Sequence, residues 1–133
     1  MIVVDSSVFV CLLREEPETP RFLPILLREA GNPIMSAADY LETGIVIDAN
    51  RDDGLSERLD RLIVHFEIDV VPVTLAHAKL ARSAYRRFGK GYHPAALNFG
   101  DCFAYALARS EAAPLLFKGD DLPQTDIQVA SRP

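Results

Sequence analysis

The sequence has no tryptophan, only two cysteines and no apolar run long enough to cross a lipid bilayer. A membrane-spanning helix needs about 20 consecutive apolar residues. The first residues also lack the basic segment, longer apolar segment and small-residue cleavage site of a secretory signal peptide. Cys11 and Cys102 lie far apart without metal-ligand spacing, as expected of small buried side chains in a reducing compartment. We therefore expect a cytoplasmic protein without a membrane segment.

Positive charge is also in short supply. The chain has 14 Lys and Arg against 19 Asp and Glu, which gives a formal net charge of −5. This balance excludes a protein that coats nucleic acid or anionic membrane by bulk attraction. Any polyanion must therefore be bound locally, by a few residues.

The chain does contain short apolar runs that alternate with amphipathic stretches, without repeats or linkers, over 133 residues. Strands are predicted near residues 2–4, 33–35, 70–73, 114–117 and 127–129, with helices between them. One of these helices is capped by Ser36 and another begins at Thr74. This alternation predicts one domain, residues 1–133, with a three-layer α/β/α fold and a short, mostly parallel central sheet. In such sheets ligands bind at the carboxyl ends of the strands.

The helix that follows Ser36 carries a carboxylate among apolar positions. At about 100° per residue, four apolar residues fall within about 60° of Glu42 on a helical wheel: Ala38, Ile45, Val46 and Ala49. Burying an ionised carboxylate costs several kcal/mol unless a partner compensates it. The pattern therefore predicts that Glu42 lies in the core-facing stripe of its helix and has a partner elsewhere.

Further acids fall where an α/β fold gathers its site. Asp101 repeats the pattern of Glu42, with three residues of its own helix within about 60° of it: Ala104, Tyr105 and Ala108. Asp5 directly follows the first predicted strand, and Asp120 and Asp121 follow the strand that ends at residue 117. We expect these acids to meet at one edge of the sheet.

Each acid also has an ordinary structural explanation. Asp5 could cap a helix, and Glu42 could form a buried ion pair. Asp101 could be an acid in the first turn of its helix that the helix dipole stabilises. Asp120 and Asp121 could belong to a polar turn. One bound cation would compensate all of them together. Oxygen ligands without a set of Cys or His favour Mg²⁺ or Mn²⁺ over zinc. Because such ions activate water and stabilise phosphoryl oxyanions, we predict metal-assisted hydrolysis of a phosphodiester.

Four stretches of the chain resemble the acidic motifs of PIN-domain ribonucleases, and more narrowly those of the VapC toxins of VapBC toxin–antitoxin pairs. They are MIVVDSSVFV, SAADYLETGIVIDA, YHPAALNFGDCFAYALA and PLLFKGDDLPQTDI. Their order and spacing match over nearly the whole chain. The resemblance implies that Asp5, Glu42 and Asp101 are acidic site residues, with Asp5 and Asp101 as direct metal ligands.

The fourth acidic position has two candidates. Family members often read K-G-N-D-F where this chain reads KGDDL, so the resemblance favours Asp121 over Asp120. Ser6 or Ser7 resembles the small hydroxyl residue that supports metal or phosphate, and Asn98 resembles the polar residue of the third motif.

Basic residues recur at three- and four-residue spacing on the helix that follows Thr74 and continue into the next loop. They are Lys79, Arg82, Arg86, Lys90 and His93. They form either a solvated face or a strip that positions phosphates beside the acids. On the second interpretation Arg82, Arg86, Lys90 and His93 contact RNA. The other side of this helix is predicted to face the core, with Leu75, Ala81, Ala84, Tyr85 and Phe88.

The resemblance further implies a homodimer and a cognate VapB-like antitoxin whose basic or amphipathic segment lies over the toxin. Apolar residues of the early helices are candidates either for antitoxin contacts or for the core: Phe9, Leu12, Leu13, Phe22 and Leu26. Lys118, beside the fourth acid, is a candidate to neutralise the metal-free site.

We predict a Mg²⁺- or Mn²⁺-dependent endoribonuclease, the toxin of a toxin–antitoxin pair, which cleaves structured RNA, tRNA above all, and inhibits translation. A haloacid-dehalogenase-type phosphatase would need a second aspartate where Ser7 stands. Two alternatives stay open. One is a receiver-like regulatory domain with a phosphorylatable aspartate and a later lysine, and the other is a non-catalytic binding module whose acidic pocket captures a basic peptide.

Overall fold

The computed structural model describes residues 1–29 and 32–130. Within them, four parallel strands form one sheet in the spatial order β3-β2-β1-β4. The strands are β1 (Ile2–Val4), β2 (Pro33–Ser36), β3 (Asp69–Val71) and β4 (Leu115–Leu116). The predicted strand near residue 129 is reduced to a single bridge between Leu115 and Val129.

In the described residues six helices connect the strands, and one short 3₁₀ turn follows β4. The helices are α1 (Ser6–Leu13), α2 (Thr19–Arg28), α3 (Ala37–Asp48), α4 (Asp53–His65), α5 (Leu75–Phe88) and α6 (Phe99–Glu111), and the turn is Leu122–Gln124. Ser36 caps α3 through its side-chain oxygen, as predicted. Thr74, where a helix is predicted to begin, caps α5 in the same way. None of these helices combines the length and apolar character that a bilayer crossing requires.

The core lies on both faces of the sheet. Val3 points to one face, where it packs with residues of α5 and α6 such as Ala84 and Leu107. Ile2 and Val4 point to the other face and pack with residues of α1 and α2 such as Phe9. The alternation follows from the two-residue period of a strand, and it explains why β1 is buried throughout. The predicted three-layer α/β/α fold is confirmed.

The rotation of α3 differs from the prediction. Its buried residues are Asp39, Thr43 and Ile47, spaced four apart, whereas Ile45 is 61% exposed. Glu42 is half-buried at the margin of this stripe. The expectation that Glu42 lies in the middle of the core-facing stripe is therefore wrong.

The structure also shows where two predicted groups of apolar residues lie. The early-helix residues considered for antitoxin contacts are all buried in the core: Phe9, Leu12, Leu13, Phe22 and Leu26. On α5, Ala81 and Ala84 are buried as predicted, but Leu75 is 71% exposed and Tyr85 is 41% exposed. The apolar side of α5 is therefore only partly covered by the rest of the described chain.

Candidate active site

A cleft of about 490 Å³ opens where β1 and β4 end. Its lining includes five residues predicted from the sequence: Asp5, Ser7, Glu42, Asn98 and Asp101. Four different elements or element boundaries supply these side chains, so the cleft depends on the completed fold.

Asp5 serves two purposes at the end of β1. Its Oδ2 accepts a hydrogen bond from the Ser7 backbone N–H at 3.0 Å and thereby caps α1. Its Oδ1 is buried and has no hydrogen-bond partner in the described chain. The structural explanation for Asp5 is therefore correct but accounts for only one of its two oxygens.

Glu42 reaches the cleft from α3. Its Oε1 accepts a hydrogen bond from Ser6 Oγ at 2.5 Å. Its carboxylate also lies directly against the backbone of Gly100 on α6. Both serines therefore contact an acid of the cleft, Ser6 through Glu42 and Ser7 through Asp5. The Ser7 Oγ also accepts a hydrogen bond from the Lys118 backbone N–H at 2.9 Å.

Asp101 is fixed by a reciprocal pair of hydrogen bonds at the start of α6. The Asn98 side chain accepts from the Asp101 N–H at 2.9 Å, and the Asp101 Oδ2 accepts from the Asn98 N–H at 3.0 Å. This capping box satisfies two backbone donors and sets the direction of the Asp101 carboxylate. Asn98 therefore acts on the site through Asp101.

The acids of the cleft repel one another. Burial, with a smaller effect from the charges of Asp101 and Glu42, raises the pKa of Asp5 to about 6 against the opposing Ser7 hydrogen bonds. Burial, Glu42 and Asp121 likewise raise the pKa of Asp101, against the Asn98 hydrogen bond. In the described chain no Lys or Arg forms an ion pair with Asp5, Glu42 or Asp101.

Asp39 is a fifth acid that the sequence interpretation missed. It is fully buried, and neither carboxylate oxygen has a hydrogen-bond partner among the described residues. Burial, followed by the charges of Asp5, Glu42 and Asp101, raises the pKa of Asp39 to about 9. The sequence could have indicated Asp39, because a position three residues before Glu42 lies about 60° from it on a helical wheel.

The fourth acidic position lies beside the cleft, in the loop after β4. Asp120 and Asp121 are both exposed, and neither is among the residues that line the cleft. The charge of Asp121 acts on Asp101, whereas the structure gives no such link for Asp120. This favours Asp121 as the fourth acid.

A second acidic group lies at the rim. In residues 1–29 and 32–130, Cys11, Glu16 and Glu18 are the only three metal-ligating side chains with ligand atoms within 4.8 Å of one another. The Lys118 Nζ lies 3.1 Å from Glu16 Oε1 and 3.0 Å from Glu18 Oε2. Lys118 therefore compensates this group rather than the predicted acids, which form a looser cluster.

The basic strip lies on the exposed side of α5. Lys79, Arg82, Ser83, Arg86 and Arg87 line one groove. Arg82 also borders an apolar groove with Phe99, Cys102 and Phe103, so the strip lies next to one side of α6. Arg87 is paired with Asp126 at 3.0 Å.

The other two predicted RNA contacts lie in the loop after α5. The Lys90 side chain is exposed, and the Lys90 backbone N–H donates to the Leu97 carbonyl. The His93 Nδ1 accepts a hydrogen bond from the Ala95 N–H at 3.0 Å, and its ring packs edge-on against Phe88. His93 therefore stabilises the loop.

Comparison with known proteins gives concordant matches. The PIN domain family matches residues 2–128. Ribonuclease VapC28 of Mycobacterium tuberculosis is 47% identical over 130 residues, which cover 97% of each chain. Ribonuclease VapC of Mycolicibacterium smegmatis is 41% identical over 128 residues, which cover 95% of this chain and 97% of the relative.

Solved structures share the fold at low identity. VapC20 of Mycobacterium tuberculosis, described as a sarcin–ricin loop cleaving toxin, has a TM-score of 0.75 and 16% identity with full coverage of both chains. VapBC2 of Rickettsia felis, bound to a DNA fragment from its promoter, has a TM-score of 0.77 and 13% identity, again with full coverage. With the near-complete matches in sequence, the chain belongs to the PIN domain family, among its VapC ribonucleases.

Proposed function

We propose that the protein is the toxin of a toxin–antitoxin pair and a Mg²⁺- or Mn²⁺-dependent endoribonuclease. The observation that carries the proposal is the cleft in which Asp5, Glu42 and Asp101 meet without a compensating Lys or Arg among the described residues. The names of the relatives, which are VapC ribonucleases, support the same activity.

The donor set fits a hard divalent cation. Carboxylate oxygens are the ligands that Mg²⁺ and Mn²⁺ prefer. Asp5 Oδ1 is a buried acceptor without a partner among the described residues, and a cation would compensate both this oxygen and the burial and repulsion that raise the pKa of Asp101. We assign Asp5 and Asp101 as metal ligands, with Glu42 and Asp121 completing the acidic site.

Other residues of the chain hold the acids of the cleft in place. A bound divalent ion supplies a more acidic water and stabilises charge on the phosphate. Ser6 holds the Glu42 carboxylate, and the Asn98 capping box holds Asp101. Lys118, which also lines the cleft, compensates Glu16 and Glu18 at the rim.

Cleavage of tRNA in the presence and absence of metal tests this proposal. We expect purified protein to convert total tRNA to discrete fragments with Mg²⁺ or Mn²⁺ and to leave it intact with EDTA. Fragment patterns on denaturing gels are the measurement. Equal cleavage with EDTA would contradict the metal requirement. Tight binding of a basic peptide without cleavage at any divalent concentration would favour the acidic-pocket binding module instead.

Structured RNA is the substrate class we propose, with tRNA as the first candidate. One structurally similar protein is described as cleaving the sarcin–ricin loop. The basic strip supports a substrate with a defined backbone path, since Lys79, Arg82 and Arg86 project along one side of α5. The net charge of −5 makes such local binding necessary.

Neutralising the strip should weaken RNA binding without altering the acids. We expect the double variant Arg82→Gln, Arg86→Gln to bind tRNA more weakly in EDTA and to reduce the slope of log affinity against log salt by roughly 1 per arginine. Fluorescence anisotropy at several salt concentrations measures both quantities. The matched control is Arg58→Gln, Arg61→Gln on α4, which changes net charge equally. Equal effects of the two double variants would show that only bulk charge matters.

We also propose that the protein forms a homodimer and binds a VapB-like antitoxin. We place it in the cytoplasm. Exposed apolar side chains on α3, α5 and α6 support contacts with a partner chain: Leu41, Ile45, Leu75, Tyr85 and Phe99. Structures with which the chain shares its fold include VapBC complexes from Rickettsia felis and Salmonella typhimurium. Both cysteines are free and buried, as suits a reducing compartment.

A further inference from the structure

The backbone conformation at Gly100 does not require a glycine. It lies in the first turn of α6, is buried, and does not have a positive φ. Glycine within a helix is less favourable than alanine by about 1 kcal/mol. The reason for a glycine here must therefore be space rather than conformation.

The space is filled by an acid of the cleft. A methyl group added at Gly100 would overlap Glu42 Oε2 and would lie 2.6 Å from both Glu42 Cδ and Oε1. Carbon atoms in contact are normally about 3.5–4.0 Å apart. Since the atoms that would clash are the end of a long side chain, the helix could accept an alanine, but the Glu42 carboxylate would have to move.

Two contacts thus hold Glu42. Ser6 Oγ donates a hydrogen bond to Oε1, and the bare backbone of Gly100 forms a wall against the carboxylate. Gly100 is also the residue before Asp101, whose direction the capping box sets. The wall that positions Glu42 and the proposed ligand Asp101 therefore belong to the same helical turn.

We infer that Gly100 is a positioning residue: the missing side chain at this position creates the slot that holds the Glu42 carboxylate beside Asp101. This inference rests on the proposed function for its catalytic consequence but not for the contact itself. It predicts that a single methyl group at residue 100 disturbs the site but leaves the fold intact.

Gly100→Ala is the test, with Gly44→Ala as the matched control. Gly44 lies on α3, two residues from Glu42, and a methyl group added there meets no atom within 4 Å. We expect Gly100→Ala to weaken Mn²⁺ binding about 10- to 100-fold, as changes to residues that orient metal ligands do, with an unchanged or higher melting temperature. Gly44→Ala should retain wild-type Mn²⁺ affinity. Electron paramagnetic resonance titration measures the affinity.

A double-variant comparison and a metal-free readout complete the experiment. In a Glu42→Ala background, Gly100→Ala should cause no further loss of Mn²⁺ affinity, because the clashing group is gone. The ¹³C signal of the Glu42 carboxyl carbon in metal-free protein should shift in Gly100→Ala and stay in place in Gly44→Ala.

Two results would overturn the inference: an unmoved Glu42 signal with wild-type Mn²⁺ affinity, or an equal loss of affinity with and without Glu42. A wild-type protein that neither binds Mn²⁺ nor cleaves RNA would instead overturn the proposed function. In that case the Glu42 signal still decides whether Gly100 positions this side chain.

Discussion

Asp5→Asn is expected to lower the rate of RNA cleavage by about 100- to 1000-fold, the effect of removing a preorganised electrostatic group from an active site. The substitution removes the charge of the proposed metal ligand but keeps an oxygen that can accept from the Ser7 N–H. Asparagine is as good a helix cap as aspartate. The fold should therefore survive. Single-turnover cleavage of tRNA with Mg²⁺ measures the effect, and circular dichroism checks the fold.

Asp52→Asn is the matched control for this substitution. Asp52 caps α4 in the same manner, since its Oδ1 accepts a hydrogen bond from the Leu55 N–H at 3.2 Å, but it is exposed and does not line the cleft. This variant should cleave RNA at the wild-type rate. If Asp5→Asn cleaves as fast as Asp52→Asn, Asp5 is only a helix cap and the proposed site is wrong.

The largest stability effect is expected at Asp39. Its pKa is 3.8 in the unfolded chain and is raised to about 9 in the folded protein. The folded state therefore holds a proton that the unfolded state has released, so stability falls as pH rises from about 4 to about 9. At pH 7 the penalty reaches up to roughly 4 kcal/mol, since each pKa unit is worth about 1.36 kcal/mol.

Asp39→Asn should recover most of this penalty. The amide has nearly the shape of the protonated acid and differs from it by one additional N–H donor, so the comparison chiefly reports the charge. We expect the metal-free variant to be more stable than wild type at pH 8 and equal to it near pH 4. Urea unfolding at several pH values, followed by circular dichroism, measures the difference in unfolding free energy.

Asp60→Asn, at an exposed position on α4, provides the reference for this comparison and should leave the pH dependence unchanged. A wild-type stability that is level between pH 4 and pH 8 would contradict the burial of an uncompensated acid at Asp39. So would a variant that keeps the wild-type slope.

Local features of this fold could be predicted from the sequence because their causes are local. The side chains of Ser36 and Thr74 cap the helices that follow them, and capping depends on neighbouring backbone donors alone. The alternation of short apolar strands and helices was likewise sufficient for a parallel, three-layer fold. The family resemblance added the order of the acidic motifs.

Features that depend on packing could not be predicted in this way. The rotation of α3, which buries Asp39 and leaves Ile45 exposed, is set by the helices around it rather than by its own apolar residues. The apolar exposure of Leu75 and Tyr85 has the same origin. The contact between Gly100 and Glu42 joins residues 58 positions apart in different helices, so no local pattern reveals it.

The placement of β4 beside β1 bears on how the cell can make such a protein. The first strand acquires this neighbour only after residue 116 has been synthesised, and Asp5 meets Asp101 only once α6 has docked on the sheet. A chain still short of that length has all of its early acids and no assembled cleft. A partly synthesised chain therefore cannot carry out the chemistry proposed for the cleft until α6 and β4 have been added.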